Sequence, residues 1–152
     1  MRKLSPKEVY EELSARGEYE EAYFDMVVVK QVLAMLKDDY TFAQQIKKGK
    51  NPRWRVVFNA YYDLLREMCD LLLLSKQRKS GNHQGVFAFI ILNFPGLEFD
   101  WELLEQIRKL RNESKYEGKD ISSVMWKSIE LQLELYISTL QKTLERLLEY
   151  EP

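Results

Sequence analysis

Between Pro52 and Lys79 the chain carries Trp54, Val57, Phe58, Tyr61, Leu64, Leu65, Met68, Leu72 and Leu73. These apolar residues recur at the three- and four-residue steps that align side chains on an α-helix. They also occupy much of the helix circumference, and a helix apolar on most sides must be covered by other elements. The stretch therefore predicts a central helix, and the rest of the chain has to supply its coat.

The remaining segments fit that role. Ser5, Pro6 and Glu8 predict a first short helix, with a serine cap, a proline at its first position and a glutamate that bonds back; Gly17 closes it. From Glu18 to about Lys48, Ala22, Val29, Leu33 and Leu36 predict a second helix with one buried stripe, which Asp38 to Thr41 would break or bend. Gly49, Asn51 and Pro52 stop it and start the central helix.

After the turn "KSGNHQG", Asn82 is the expected cap of a short fourth helix through "VFAFIIL", ended by Pro95 and Gly96. Asp100 caps a fifth helix with Trp101, Leu103, Leu104, Ile107 and Leu110 facing inward, and Gly118 stops it. From about Ser122 to Glu149, Met125, Ile129, Leu133, Tyr136, Leu140, Leu144 and Leu147 predict a long last helix. Only "GVFAFIIL" is ambiguous between helix and strand. The expected fold is all-α: one antiparallel bundle of about five to six helices over residues 1–152, with a short N-terminal helix in 1–17 and the bundle in 18–152.

A chain of 152 residues forms one domain that buries roughly 70% of its unfolded surface, so it needs no staple. Its net charge of -1 gives no global attraction for nucleic acid, and any such site must be a local patch. Cys69 is the single cysteine and reads as a core residue in a reducing compartment. With no signal-like or membrane-length apolar run, the expected address is the cytoplasm, away from a membrane.

One histidine, His83, is too few for a two-histidine metal motif, and the six scattered glycines form no phosphate loop. No metal or cofactor is expected. His83 itself precedes an apolar helix, where it either bonds a nearby backbone group or helix end, or serves a site. Two basic clusters stand out: Lys47, Lys48, Lys50, Arg53 and Arg55 around Trp54, and Lys76, Arg78 and Lys79. They lie roughly 35 to 40 Å apart at 1.5 Å per residue, too far for one short ligand. The first reads as a solvated turn or a phosphate contact, the second as cations at a helix C-terminus.

The stretch "LRNESKYEG", residues 110–118, gathers chemistry at a helix end. Arg111 and Tyr116 are five residues apart, roughly 140° around an unbroken helix, so they share a site only if the helix ends between them. Gly118 and the charged run "NESKYEGKD" predict such an ending. Arg111 would then offer a planar fork of donors to a phosphate, with Asn112 fixing it and Lys115 adding charge. The alternative is plain helix capping by Arg111 and Lys115, with Tyr116 packed on the bundle.

The motif "RNESKYEG" and the order of segments before it ("YYDLLREMCDLLLL", "GNHQGVFAFIILNFP", "DWELLEQIRKLRN") resemble the HEPN domain (higher eukaryotes and prokaryotes nucleotide-binding) from about Glu18 to the C-terminus. The resemblance implies a small all-α bundle, often a homodimer. Many members are metal-independent ribonucleases or partners of minimal nucleotidyltransferases in toxin-antitoxin pairs. It also implies a hallmark arginine followed by a polar residue and then a histidine four to six residues on. Arg111 and Asn112 fit, whereas Tyr116 stands where the shortest form of the motif has histidine. A phenol near pKa 10 is a weak base at neutral pH.

The resemblance thus implies RNA or nucleotide binding at a dimer cleft through Arg111, Asn112, Lys115 and Tyr116, with ribonuclease activity weak or lost. Glu67 or Asp70 on the third helix is expected to buttress Arg111. The alternatives are an interaction protein that accompanies a nucleotidyltransferase, and an active endoribonuclease using Tyr116, or His83 from the neighbouring turn.

Overall fold

The computed structural model of the chain describes residues 2–149. Helix α1 (Pro6–Ala15) starts at Ser5, whose hydroxyl accepts from the Glu8 amide while the Glu8 carboxylate accepts from the Ser5 amide. That reciprocal pair satisfies two amides that the first turn leaves free. Val9 and Leu13 bury themselves against Ala88.

The second helix is shorter than its periodicity predicts. Residues Glu20–Glu21 form a strand, β1, paired antiparallel with Arg78–Lys79, β2, so that Glu20 faces Lys79 and Glu21 faces Arg78. Opposite charges directly across a ladder favour this register. The Ala22 amide continues the pairing by donating to the Gln77 carbonyl, which takes Ala22 off the helical stripe. Helix α2 (Met26–Lys47) begins only where Asp25 caps the Val27 and Val28 amides. It runs unbroken through Asp38–Thr41, because Tyr40 packs edge-on against Tyr61 at 5.7 Å and Thr41 folds its hydroxyl onto the Lys37 carbonyl.

Helix α3 (Trp54–Ser75) is the central element, with Phe58, Tyr61, Tyr62, Leu65, Met68, Cys69, Leu72 and Leu73 fully buried. It stops four residues before Lys79, because Gln77 adopts φ 59° and turns the chain into β2. "VFAFIIL" lies within helix α4 (His83–Asn93), capped by the Asn82 side chain on the Gly85 amide. Gly85 allows close approach of α1: a Cβ there would sit 2.5 Å from the Leu13 methyl, which would have to move aside. Its carbonyl also accepts from the Tyr19 hydroxyl. A 3-10 turn (Pro95–Leu97) leads to α5 (Trp101–Tyr116), capped by Asp100, and then to α6 (Ser123–Glu149).

The architecture is an all-α bundle carrying one two-residue strand pair. Helix α6 runs parallel to α3, since Trp54 stacks on Trp126 at 6.0 Å and Tyr61 reaches Glu134 about two turns further along both helices. Helices α2 and α5 run antiparallel to α3 and α6: Lys37 and Lys47 of α2 meet Glu145 and Glu130, and Arg55 and Asp63 of α3 meet Ser114 and Arg111. No helix among the described residues is long and apolar enough to cross a membrane.

Candidate functional site

On α3, Arg55, Asn59 and Asp63 recur every four residues and so share one face. That face meets α5 through polar contacts. The Arg55 guanidinium donates to the Ser114 carbonyl at 3.1 and 3.3 Å. The Asn59 amide donates to the Ser114 hydroxyl at 3.3 Å and to the Arg55 carbonyl at 2.9 Å. One turn further, Arg111 Nη1 donates to Asp63 Oδ1 at 2.7 Å.

Arg111 is pinned from a second direction. Its guanidinium carbon lies 4.9 Å from the ring centroid of Tyr62, a stacked cation–π contact, and its side chain keeps only 14% of its surface exposed. Tyr62 has no exposed surface, and burial pushes its phenol well above the usual tyrosine range. Its hydroxyl bonds Nδ1 of His83, the first residue of α4, at 3.0 Å. Three helices thereby converge on one cluster: Asp63 and Tyr62 from α3, His83 from α4, Arg111 from α5.

Two more arginines border it. Arg66 pairs with Asp70 at 2.8 Å, and Arg108 grips Glu105 with two bonds of 2.9 and 3.0 Å, while the Gln84 amide donates to the same carboxylate. Burial holds the His83 imidazole below its ordinary value, and the positive charges of Arg66 and Arg111 lower it further against the opposing Asp63. Burial pushes Asp70 up to about 6 despite Arg66. Burial, with Asp63 and Asp39, likewise raises Glu67.

The buttress of Arg111 is therefore Asp63, and neither Glu67 nor Asp70. Asp63 lies one helical turn before Glu67, and its four-residue spacing from Arg55 and Asn59 is the sequence signal that could have found it. Asp70 is already engaged by Arg66, and Glu67 makes no ion pair among the described residues. His83 bonds a buried phenol, not a backbone group. That contact spans 21 residues and leaves no trace in local spacing.

The turn expected between Arg111 and Tyr116 is absent. Helix α5 continues to Tyr116, since the Glu117 and Lys119 amides both bond the Glu113 carbonyl, and the left-handed Gly118 (φ 69°) redirects the chain only afterwards. Tyr116 is 81% exposed and, on an unbroken helix, sits roughly 140° around the axis from Arg111. Lys115 is exposed as well, and the half-buried Asn112 makes no side-chain hydrogen bond among the described residues. Of the motif, only Arg111 joins the cluster.

The basic clusters are engaged only in part inside the fold, and Lys48, Lys50, Arg53 and Lys79 remain exposed. Lys47 is tied to Glu130 at 2.9 Å and to Glu134, and Arg55 to Ser114. Lys76 lies over the Phe94 ring at 5.5 Å. Among the described residues no group of three or more His, Cys, Asp or Glu side chains could hold a metal ion.

Chemically, Arg66, Arg108 and Arg111 each face a carboxylate, so the cluster is charge-balanced. The Asp63 side chain is 45% exposed and can swing into solvent while Arg111 stays against Tyr62, which would leave the guanidinium able to accept another anion. Comparison with family models, with curated proteins and with solved structures yields no match. What the chain defines by itself is an all-α bundle with an arginine, tyrosine and histidine cluster where three helices meet.

Proposed function

We propose that this chain binds RNA or a nucleotide through phosphate contacts centred on Arg111, in the manner of a HEPN-like protein, with little or no ribonuclease activity. The observation that supports this is the clamping of Arg111 between the Tyr62 ring and Asp63, beside two further guanidiniums. A guanidinium fixed before the ligand arrives loses little freedom on binding, and its planar fork suits phosphate. Weak catalysis follows from the exposed Tyr116, which sits on a different side of α5 from Arg111.

The test is fluorescence anisotropy with single-stranded RNA and with nucleotides at low salt in EDTA, for wild type and Arg111→Ala. Binding by wild type that the substitution removes supports the reading, and absence of binding to either ligand class overturns it. RNA cleavage abolished by Arg111→Ala would instead establish an endoribonuclease.

A second reading, an interaction protein partnering a nucleotidyltransferase or a second copy of itself, draws on a different observation. Val28, Met35 and Phe42 lie at seven-residue steps on α2 and are exposed, as are Val124, Leu131 and Leu135 on α6. Seven residues are nearly two turns, so each set forms a stripe available to another chain. Sedimentation of wild type and of Met35→Glu/Phe42→Glu separates these outcomes: a dimer lost in the variant supports self-association through α2.

A further inference from the structure

Tyr62 and His83 meet at 3.0 Å, and either group can in principle donate. The surroundings decide which does. Tyr62 has no exposed surface, and its hydroxyl makes no other hydrogen bond among the described residues. Were it to accept from an Nδ1–H, its own proton would be left in the core without an acceptor. The phenol must therefore donate to Nδ1, and that nitrogen must be bare.

A neutral imidazole with a bare Nδ1 carries its proton on Nε2. Among the described residues His83 Nε2 has no partner, yet it is not among the polar atoms sealed from solvent. The ring is half-buried, and Arg66, Arg111, Arg108 and Asp63 act on it electrostatically. An unpaired donor thus lies at the edge of the arginine cluster, on a ring whose orientation is locked from behind.

We propose that His83 is the neutral hydrogen-bond donor of the anion site, presenting Nε2–H to a phosphate oxygen of the bound RNA or nucleotide, with its tautomer set by Tyr62. This rests on the phosphate-binding function argued above and assigns a role to the single histidine within it. It also explains binding without cleavage. A general base needs a bare nitrogen facing the hydroxyl it activates, and here the bare nitrogen is occupied by Tyr62.

Protonation of His83 is opposed by the same contact. An Nδ1–H would force the phenol to turn its proton elsewhere in a core that offers no acceptor, beside guanidiniums that disfavour a further positive charge. The contact and the neighbouring guanidiniums thus both favour the neutral ring.

Nitrogen-15 NMR of the imidazole in the intact protein reads the tautomer directly. The expected spectrum has Nε2 protonated and Nδ1 bare, with the Nε2 resonance moving when a single-stranded RNA oligonucleotide is added. A ring protonated at Nδ1 overturns the proposal. In parallel, anisotropy on folded variants should show His83→Ala weakening RNA binding by about tenfold, the usual loss for one hydrogen bond to a charged group. His83→Gln, which keeps an N–H donor, should recover most of it.

Tyr62→Phe should leave the bundle folded and allow both tautomers, visible as a shifted nitrogen spectrum. If wild type binds RNA, Arg111→Ala abolishes binding and His83→Ala binds as well as wild type, the role of His83 is wrong and the phosphate site stands. If wild type binds neither RNA nor nucleotides, the phosphate site itself is wrong.

Discussion

Helix α3 has two sides that are sealed in opposite ways. Toward α6 and α2 it is closed mainly by aromatic and aliphatic packing, with Trp126 held between Trp54 and Tyr61 at 6.0 and 4.8 Å and polar contact confined to the edge where the Tyr61 hydroxyl and Lys47 meet Glu134. Toward α5 and α4 it is closed by hydrogen bonds and ion pairs among Arg55, Asn59, Asp63, Arg111, Tyr62 and His83. The first side gains from water exclusion, which is non-directional. The second gains little net stability per contact, because each charge is desolvated to make it. A protein that needed only to fold could have made both sides apolar, so the polar side is where function is to be sought.

The largest expected effect lies on the apolar side. Trp126→Ala deletes a fully buried indole and should lower unfolding free energy by about 3–5 kcal/mol, read from denaturant melts. A loss below about 1 kcal/mol would mean that the two sides do not differ as described. On the polar side the order of effects reverses. Arg111→Ala should cost RNA affinity at least about tenfold, with a smaller change in stability, because the Asp63 it abandons is already half in water. If that substitution unfolds the bundle as thoroughly as Trp126→Ala, the polar side is structural.

Asp63→Asn sharpens the same contrast with a smaller effect of opposite sign. It keeps a hydrogen-bond acceptor for Arg111 but removes the resident anion that a phosphate must displace. RNA affinity should rise by roughly the worth of a half-exposed ion pair, about two- to fivefold. Weaker binding in this variant would instead make Asp63 the group that positions Arg111.

The apolar side was legible in the sequence because it obeys a period. Val57, Phe58, Tyr61, Leu64 and Leu65 announce a helix that must be covered, and Ser5, Asn82 and Asp100 announce where its neighbours begin. Errors arose where long-range pairing overrode local pattern. Glu20 and Glu21 leave the helical stripe because Lys79 and Arg78 wait opposite them. Arg111 was identifiable as a single residue, but its partners Asp63, Tyr62 and His83 come from helices brought together only by the fold. Tyr116 was misplaced because a charged run without aliphatic residues reads as a helix end, whereas backbone bonding carries α5 to that residue.

The finest test uses protons, since two groups of the polar side titrate with opposite consequences. His83 is held below its ordinary 6.5 by burial and nearby arginines, so the unfolded chain takes up the proton first. Its contribution to stability is complete above about pH 6.5 and is lost as pH falls through the folded value. Asp70 is raised from 3.8 to about 6 by burial, so the folded state keeps a proton that the unfolded chain has released. Its contribution is complete below 3.8 and is lost as pH rises through about 6. Glu67, also raised, adds to that second slope.

In the wild type these slopes oppose one another, and single substitutions should separate them. Tm measured by circular dichroism from about pH 7 down to about pH 5 should show His83→Gln gaining on wild type, because the variant has no imidazole to protonate. Asp70→Asn should lose ground over the same interval, because wild type alone acquires the stabilising proton. Both differences moving in the same direction would mean that the two groups do not belong to one desolvated cluster. The polar side would then be no more than three surface ion pairs beside a buried tyrosine.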